Sequence, residues 1–356
     1  MYSDKPVKLI LDDGTVFEGK SFGSETAKAG EVVFSTAMVG YTESLTDPSY
    51  LGQILVITFP LVGNYGVPED SFTNGVSNFY ESEKVQVSGL IVSDYSREYS
   101  HWNAKKSLGD WLKEHDVPGI YGIDTRKLTK ILREKGSMKG KIVFQNENEV
   151  EFYDPNLENQ VAKASCKEVL TYGNGDKKVL LVDCGVKHNI IRSLLKRNVT
   201  IIRVPWNYDF NQLEWDGLFI SNGPGSPDFC EETVKNIRKA MEGDKPICGI
   251  CMGNQLLSKA GGATVYKLKY GHRSHNQPVK MVNTEKCFIT SQNHGYAVTS
   301  ASLGEEWEPL FVNLNDGTNE GIKHKTKPFF SAQFHPEAAS GPTDTGFLFD
   351  LFVEKL

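Results

Sequence analysis

KVLLVDCGVKHNIIRSLLKRNVTIIRVP, Lys178 to Pro205, is a short apolar run, an amphipathic helical segment and a second apolar run in close succession. Apolar runs of four to eight residues suit strands buried on both faces, and a helix between two of them makes the βαβ unit of a parallel sheet. The alternation continues downstream. "GLFISNGPG" (217–225) reads as a third strand ending in a Gly-Pro-Gly loop, "CEETVKNIRKAM" (230–241) as a helix, "PICGI" (246–250) as a fourth strand and "MGNQLLSKA" (252–260) as a helix. Residues 177–356 are therefore expected to form an α/β domain on a doubly wound sheet. Within it, Ala263 to Glu337 is richer in strands and turns, and "GFLFDLFVEKL" (346–356) closes the chain as a helix.

Upstream the pattern differs. "VKLILDDGTVFEGKSFG" (7–23) alternates apolar and polar residues around Asp13-Gly14, a strong hairpin pair. Further apolar runs, "GEVVFSTAMVG" (30–40) and "GQILVITFPLVGNYG" (52–66), precede two segments of helical spacing, "KSLGDWLKEHD" (106–116) and "DTRKLTKILREKG" (124–136). In the second, Asp124 can cap the N-terminus, Leu128, Ile131 and Leu132 share a face, and Gly136 can end the helix. Residues 1–150 thus read as an α+β domain. The polar stretch that follows, with its "YGNGD" breaker, places a linker at 151–176.

A chain of 356 residues suits two domains, each large enough to bury a core. With 39% hydrophobic and 24% charged residues and a net charge of −6, no basic excess points to nucleic acid. No apolar stretch approaches the ~18 residues needed to span a bilayer, and the N-terminus lacks a leader pattern. A cytoplasmic protein is expected, or a mitochondrial one whose transit peptide has been removed. The six cysteines are too few and too scattered for a disulfide scaffold and match reduced thiols. The sequon Asn198-Val199-Thr200 is then a chance match.

Two cysteines stand three apart at the strand-to-helix junction, Cys248 and Cys251, and the residues alone leave three readings. C-x-x-C ahead of a helix is the geometry of a dithiol redox site. A zinc site needs partners, and "GHRSH" (His272, His275) offers no ordered ligand spacing; these two histidines read as surface or loop residues, and no metal is expected. The third reading takes Gly249-Ile250-Cys251-Met252-Gly253 as the cysteine counterpart of the G-x-S-x-G nucleophile elbow, where crowding demands small residues two positions before and after the nucleophile. Cys248 then packs in the strand as a small apolar residue. A nucleophile needs a base. His335 in "FHPE" is the candidate, with Glu337 two positions on to orient its ring. Backbone donors for an oxyanion are available at Met252 and in "SNGPG" (221–225), although that loop can equally turn the chain or cradle a phosphate.

Taken in order and spacing, "SNGPG", "GICMGNQLL" (249–257), "TSQNHGYAV" (290–298) and "FHPE" (334–337) resemble the class I, or triad, glutamine amidotransferases, whose flavodoxin-like fold is implied for the C-terminal domain. "GEVVFSTAMVGYTESLTDPSY" (30–50), "FPLVGNYG" (59–66) and "DTRKLTKILREKG" look like the glutamine-hydrolysing small subunit of carbamoyl phosphate synthetase, or the first part of a fused synthetase. The resemblance implies that Cys251 attacks the glutamine side-chain amide, that His335 transfers protons with Glu337 as its partner, and that ammonia is passed on. It implies an oxyanion site at Met252 and Gly223, and a glutamine pocket lined by Gly225, Gln255, Asn293, Gly295 and Tyr296, with Ser49 reaching in from the N-terminal domain. No cofactor is expected in this chain: ATP and magnesium are used by the synthetase, a large partner subunit or fused domains, in the pyrimidine or the arginine and urea pathway. The end at Leu356 suits a free subunit and an excised domain equally. Where many relatives read C-L-G-H-Q, this chain has Met252 and Asn254, and Tyr296 stands where phenylalanine is frequent.

Overall fold

The computed structural model of the chain describes residues 5–145 and 150–356. It divides into two compact units, one reaching Phe72 and running again from Ser77 to Glu158, the other comprising Thr73–Val76 and Asn159–Leu356. No helix among the described residues is long and apolar enough to cross a membrane.

The first unit closes seven strands into a barrel: β1 (Pro6–Leu11), β2 (Val16–Ser21), β3 (Lys28–Ser35), β4 (Gln53–Ile57), β5 (Gly89–Ile91), β6 (Gly119–Tyr121) and β7 (Met138–Phe144), in the order β1-β7-β3-β4-β5-β6-β2. β1 and β2 meet at the Asp13-Gly14 turn, where Gly14 takes φ +85° and Asp13 accepts a hydrogen bond from the Thr15 N–H at 2.9 Å. Among its helices are α1 (Leu108–Glu114) and α2 (Thr125–Lys135). Asp124 caps α2 by accepting from the Lys127 N–H at 2.8 Å, Leu128 and Leu132 are buried, and Gly136 ends it at φ +100°.

The second unit is built on a ten-stranded sheet: β8 (Leu170–Tyr172), β9 (Lys178–Asp183), β10 (Thr200–Pro205), β11 (Gly217–Ile220), β12 (Ile247–Ile250), β13 (Val265–Met281), β14 (Cys287–Val298), β15 (Trp307–Asn313), β16 (Asn319–His324) and β17 (Phe329–Ala332). Five strands are parallel, in the order β10-β9-β11-β12-β17, which is the 2-1-3-4-5 winding of the flavodoxin-like fold. Helices α3 (His188–Leu195), α4 (Glu231–Ala240), α5 (Met252–Ala260) and α6 (Phe347–Val353) accompany the parallel strands. Because strand residues alternate in direction, Val179 and Leu181 join a cluster with α3 and α6, whereas Leu180 and Val182 join one with α4 and α5. Burial on both faces explains why β9 reads as an unbroken apolar run. Beyond β17 the sheet continues antiparallel through β16, β15, β13 and β14.

The stretch expected as a linker, 151–176, is not a plain connection. Gln160 and Val161 are buried on a short helix, and Leu170–Tyr172 forms β8, antiparallel to Ile201–Arg203 at the sheet edge. An edge strand needs a single neighbour, so the few apolar residues of a polar segment suffice.

Candidate active site

The chemistry-bearing residues of the second unit gather where parallel strands end at their carboxyl side: Lys187 after β9, Gly223 and Gly225 after β11, Cys251 after β12, His335 and Glu337 after β17. In open α/β sheets this rim is where ligands bind.

Cys251 joins β12 directly to α5 and adopts φ +55°, ψ −102°, a conformation outside the ordinary regions for a non-glycine residue, costing about 1–3 kcal/mol. The turn is pinned on both sides. The Cys251 N–H donates to the Ala332 carbonyl at 2.8 Å, and the Cys251 carbonyl accepts from the Gln255 N–H at 3.2 Å. The two flanking glycines are demanded by space rather than by φ. A Cβ at Gly249 would lie 2.4 Å from the Gly253 oxygen, and one at Gly253 would lie 2.1 Å from the Ile220 oxygen. Cys251 is 2% exposed, and its thiol lies 3.7 Å from the Asn293 carbonyl oxygen.

Cys248 is a different kind of residue. It packs in the apolar cluster with Phe219, Ile250 and Phe330, and burial pushes its thiol well up, against thiolate formation. That environment suits the packing role and not half of a dithiol pair.

His335 follows β17, its N–H donating to the Ser291 carbonyl at 2.9 Å, so the backbone of β14 fixes where the ring stands. Its Nδ1 is 2.6 Å from Glu337 Oε1, and the imidazole lies beside the Cys251 thiol. Burial alone would lower the His335 pKa, but the Glu337 carboxylate and the Cys251 sulfur together outweigh it and hold the ring up at about 10. For Glu337 burial works upward, and the charges of Lys187 and His335 overcome it, bringing the carboxyl down to about 2. The Lys187 Nζ is 3.2 Å from Glu337 Oε1, and Asn189 Nδ2 donates to the Glu337 carbonyl. Lys187 had no signal in the sequence, because its partner lies 150 positions away and is met only when β9 and β17 share one sheet. His275 also belongs to this neighbourhood: burial, with the Lys187 and His335 charges, lowers its pKa to about 4.

The loop after β11 is close-packed. A Cβ at Gly223 would come within 2.1 Å of the Cys184 carbonyl oxygen, and Gly225 takes φ +76°. Met252 opens α5 and is buried. On the other side of the nucleophile, Gln255 Nε2 donates to the Tyr296 carbonyl at 3.2 Å, tying α5 to β14, which carries Asn293, Gly295 and Tyr296 in one run. Ser49 belongs to the first unit, in the turn Pro48–Tyr50, with its N–H donating to Asp47 at 2.9 Å.

Asn254, beside the nucleophile, is wholly buried and turned into the protein. It donates to Gln333 Oε1 at 2.8 Å and accepts from the Ser331 hydroxyl at 2.7 Å, locking α5 onto β17.

His272 departs from expectation. It is 8% exposed on β13, with Asp316, Gln292 and Glu320 within hydrogen-bonding range, and not a loop residue at the surface. Only the pairing of β13 with β14, and of β15 with β16, brings these positions together.

Comparison with known proteins agrees with this geometry. The family model for the carbamoyl-phosphate synthase small chain, CPSase domain, matches residues 9–142, and that for class-I glutamine amidotransferases matches residues 180–355. The chain is 52% identical over 352 residues to the multifunctional protein CAD of Squalus acanthias. It is 50% identical over 353 residues to the mitochondrial carbamoyl-phosphate synthase (ammonia) of Homo sapiens, and 46% identical over 389 residues to the multifunctional protein URA2 of Saccharomyces cerevisiae. These alignments take in 97%, 98% and 99% of this chain but 16%, 23% and 18% of those proteins, so it spans between a sixth and a quarter of their length. With a small-chain domain followed by a class-I amidotransferase domain, the chain belongs to the glutamine amidotransferase family of carbamoyl-phosphate synthases.

Proposed function

We propose that this chain hydrolyses L-glutamine to glutamate and ammonia through a thioester on Cys251, and that the ammonia feeds an ATP-dependent carbamoyl phosphate synthetase. The observation that carries this reading is the strained turn that sets Cys251 at the head of α5 beside the His335–Glu337 pair. The thiol proton passes to His335 before attack, and in the first step the Cys251 sulfur bonds to the side-chain amide carbon. Glu337 stabilises the imidazolium so formed. The negative charge on the amide oxygen is met by the backbone N–H groups of Met252 and Gly223, each worth about 2.7–4 kcal/mol in the transition state. His335 then returns the proton to the departing nitrogen, the C–N bond breaks, and ammonia leaves. A water molecule, losing a proton to His335, attacks the thioester, and the carbon–sulfur bond breaks to give glutamate and the free thiol.

Gly225, Gln255, Asn293, Gly295 and Tyr296 are the residues we assign to glutamine. The groups written into these steps all belong to this chain; ATP and magnesium would serve the synthetase, either a separate large subunit or segments fused to this one. The relatives' names support the latter, since two are multifunctional proteins and a third is a carbamoyl-phosphate synthase.

The test is a glutaminase assay with acid trapping of the thioester. Wild-type protein should release ammonia from glutamine and carry a glutamyl adduct on Cys251, and Cys251→Ala should lose at least about a thousandfold in kcat. Hydrolysis that survives the substitution would overturn the assignment.

A further inference from the structure

The cluster of His272, Gln292, His294 and Glu320 lies behind the strand run that carries Asn293, Gly295 and Tyr296. Its hydrogen bonds determine where each proton is. His294 Nδ1 is 2.9 Å from the Tyr296 carbonyl, an acceptor with no proton of its own, so Nδ1 carries the hydrogen and a neutral His294 presents Nε2 as a lone pair. His272 Nε2 is 2.8 Å from Asp316 Oδ2, so that nitrogen is a donor, and in the neutral ring Nδ1 is the lone pair. Gln292 is oriented by its neighbours: its Nε2 donates to Thr290 Oγ1 at 3.2 Å, and the Thr290 proton is committed to the Gln277 carbonyl at 2.9 Å. The Gln292 oxygen therefore faces both histidines.

With His272 neutral, the four atoms facing one another are all acceptors. His272 Nδ1 is 3.0 Å from Gln292 Oε1 and 3.3 Å from Glu320 Oε1, and His294 Nε2 is 3.2 Å and 3.8 Å from the same two oxygens. Asn313 Nδ2 donates to Glu320 Oε1 at 3.1 Å from the side, its amide oriented by the Asn315 N–H at 2.9 Å from its oxygen. Glu320 is fully buried, and its second oxygen has no hydrogen-bond partner. The Asn313 amide nitrogen also stands 3.5 Å from His272 Nδ1. Lone pairs facing lone pairs in a buried place repel unless a positive charge lies between them, either a second proton on the His272 ring or a bound cation.

We propose that His272 Nδ1, His294 Nε2, Glu320 Oε1 and Gln292 Oε1 form a structural site for a divalent cation of the zinc class. Tetrahedral coordination at about 2.0–2.2 Å places ligand atoms about 3.3 Å apart, the spacing seen here. The outer contacts have the form usual for metal-bound histidines, one ring donating to a carboxylate and the other to a backbone carbonyl. A bound cation would join β13, β14 and β16 at the back of the Asn293–Tyr296 segment. The inference stands apart from the glutamine reading, since none of the four donors takes part in the proposed reaction.

The experiment is metal analysis of the whole chain, purified without a histidine tag and incubated with zinc chloride or cobalt chloride. Expected are about one equivalent of zinc per folded chain and a cobalt spectrum of four-coordinate nitrogen and oxygen ligation without a thiolate charge-transfer band. Stoichiometry should persist in Cys251→Ala and drop at least tenfold in His294→Gln and Glu320→Gln. If those variants do not fold, the wild type decides: its melting temperature should rise with zinc and fall with a chelator. Folded wild-type protein that binds no zinc and melts at one temperature throughout would overturn the proposal. So would zinc that disappears with Cys251, or nitrogen NMR showing His272 protonated on both nitrogens in zinc-treated protein.

Discussion

At the level of single residues, the site is a set of opposed electrostatic demands. Glu337 holds the His335 imidazole up at about 10 against burial, and Lys187 helps hold Glu337 ionised. The imidazolium, which is His335 holding the thiol proton, is thus the favoured form before any substrate arrives. Glu337→Gln removes the carboxylate while keeping the shape, so the His335 pKa must fall. The expected outcome is a loss of roughly a hundred- to ten-thousandfold in kcat/KM together with a downward move of the alkaline limb of its pH profile. An alkaline limb that stays in place would show that Glu337 does not set the pKa of His335. Lys187→Met should act in the opposite sense on the ring, because the Lys187 charge lowers the His335 pKa.

For the elements, the decisive object is the β12–α5 junction. The helix begins on the residue after the nucleophile, and its first turn runs so close to β11 that Gly253 has no room for a methyl group. Gly253→Ala should cost about 1–3 kcal/mol or more in urea unfolding, because the atom it meets is the Ile220 carbonyl and not a side chain that can swing away. Asn254 secures the same helix from another side. Asn254→Ala strips one partner each from the Ser331 hydroxyl and the Gln333 carbonyl, both buried, and should cost about 1–3 kcal/mol, measured by the same unfolding curves. An Asn254→Ala protein as stable as wild type would show that the polar lock contributes nothing.

For the molecule as a whole, the ionisable groups of the second unit predict stability on both sides of a maximum. His275 is lowered from 6.5 to about 4, so the unfolded chain takes up its proton first and stability is lost as pH falls through that window. Glu337, lowered from 4.5 to about 2, adds a further loss below pH 4.5. His335 works in reverse: raised from 6.5 to about 10, it contributes stability that is complete below 6.5 and lost as pH rises to 10. The unfolding midpoint of this unit should therefore peak near pH 6.5 and decline both ways. The variant Glu337→Gln should flatten the decline below pH 4.5, and an unchanged acid arm would count against the burial of its charge.

Local pattern was enough for the parallel core, the hairpin at Asp13-Gly14 and the capped helix at Asp124, and it offered the elbow around Cys251 as one of three readings. Periodicity, turn chemistry and steric exclusion all act over a few residues, and so they are written in the order of the chain. His335 could be named as the base for Cys251 from the residue types and from the motif resemblance, but its placement beside the thiol could not. Three further features had no local signature: Lys187 against Glu337, Asn254 turned inward to Ser331 and Gln333, and the gathering of His272, Gln292, His294 and Glu320 from β13, β14 and β16. Charge interactions and coordination act through space, between residues that sheet order makes neighbours. Sequence therefore determined which residue could be the nucleophile, while tertiary structure decided what surrounds it, because burial and Coulomb energy depend on distances that only the folded sheet establishes.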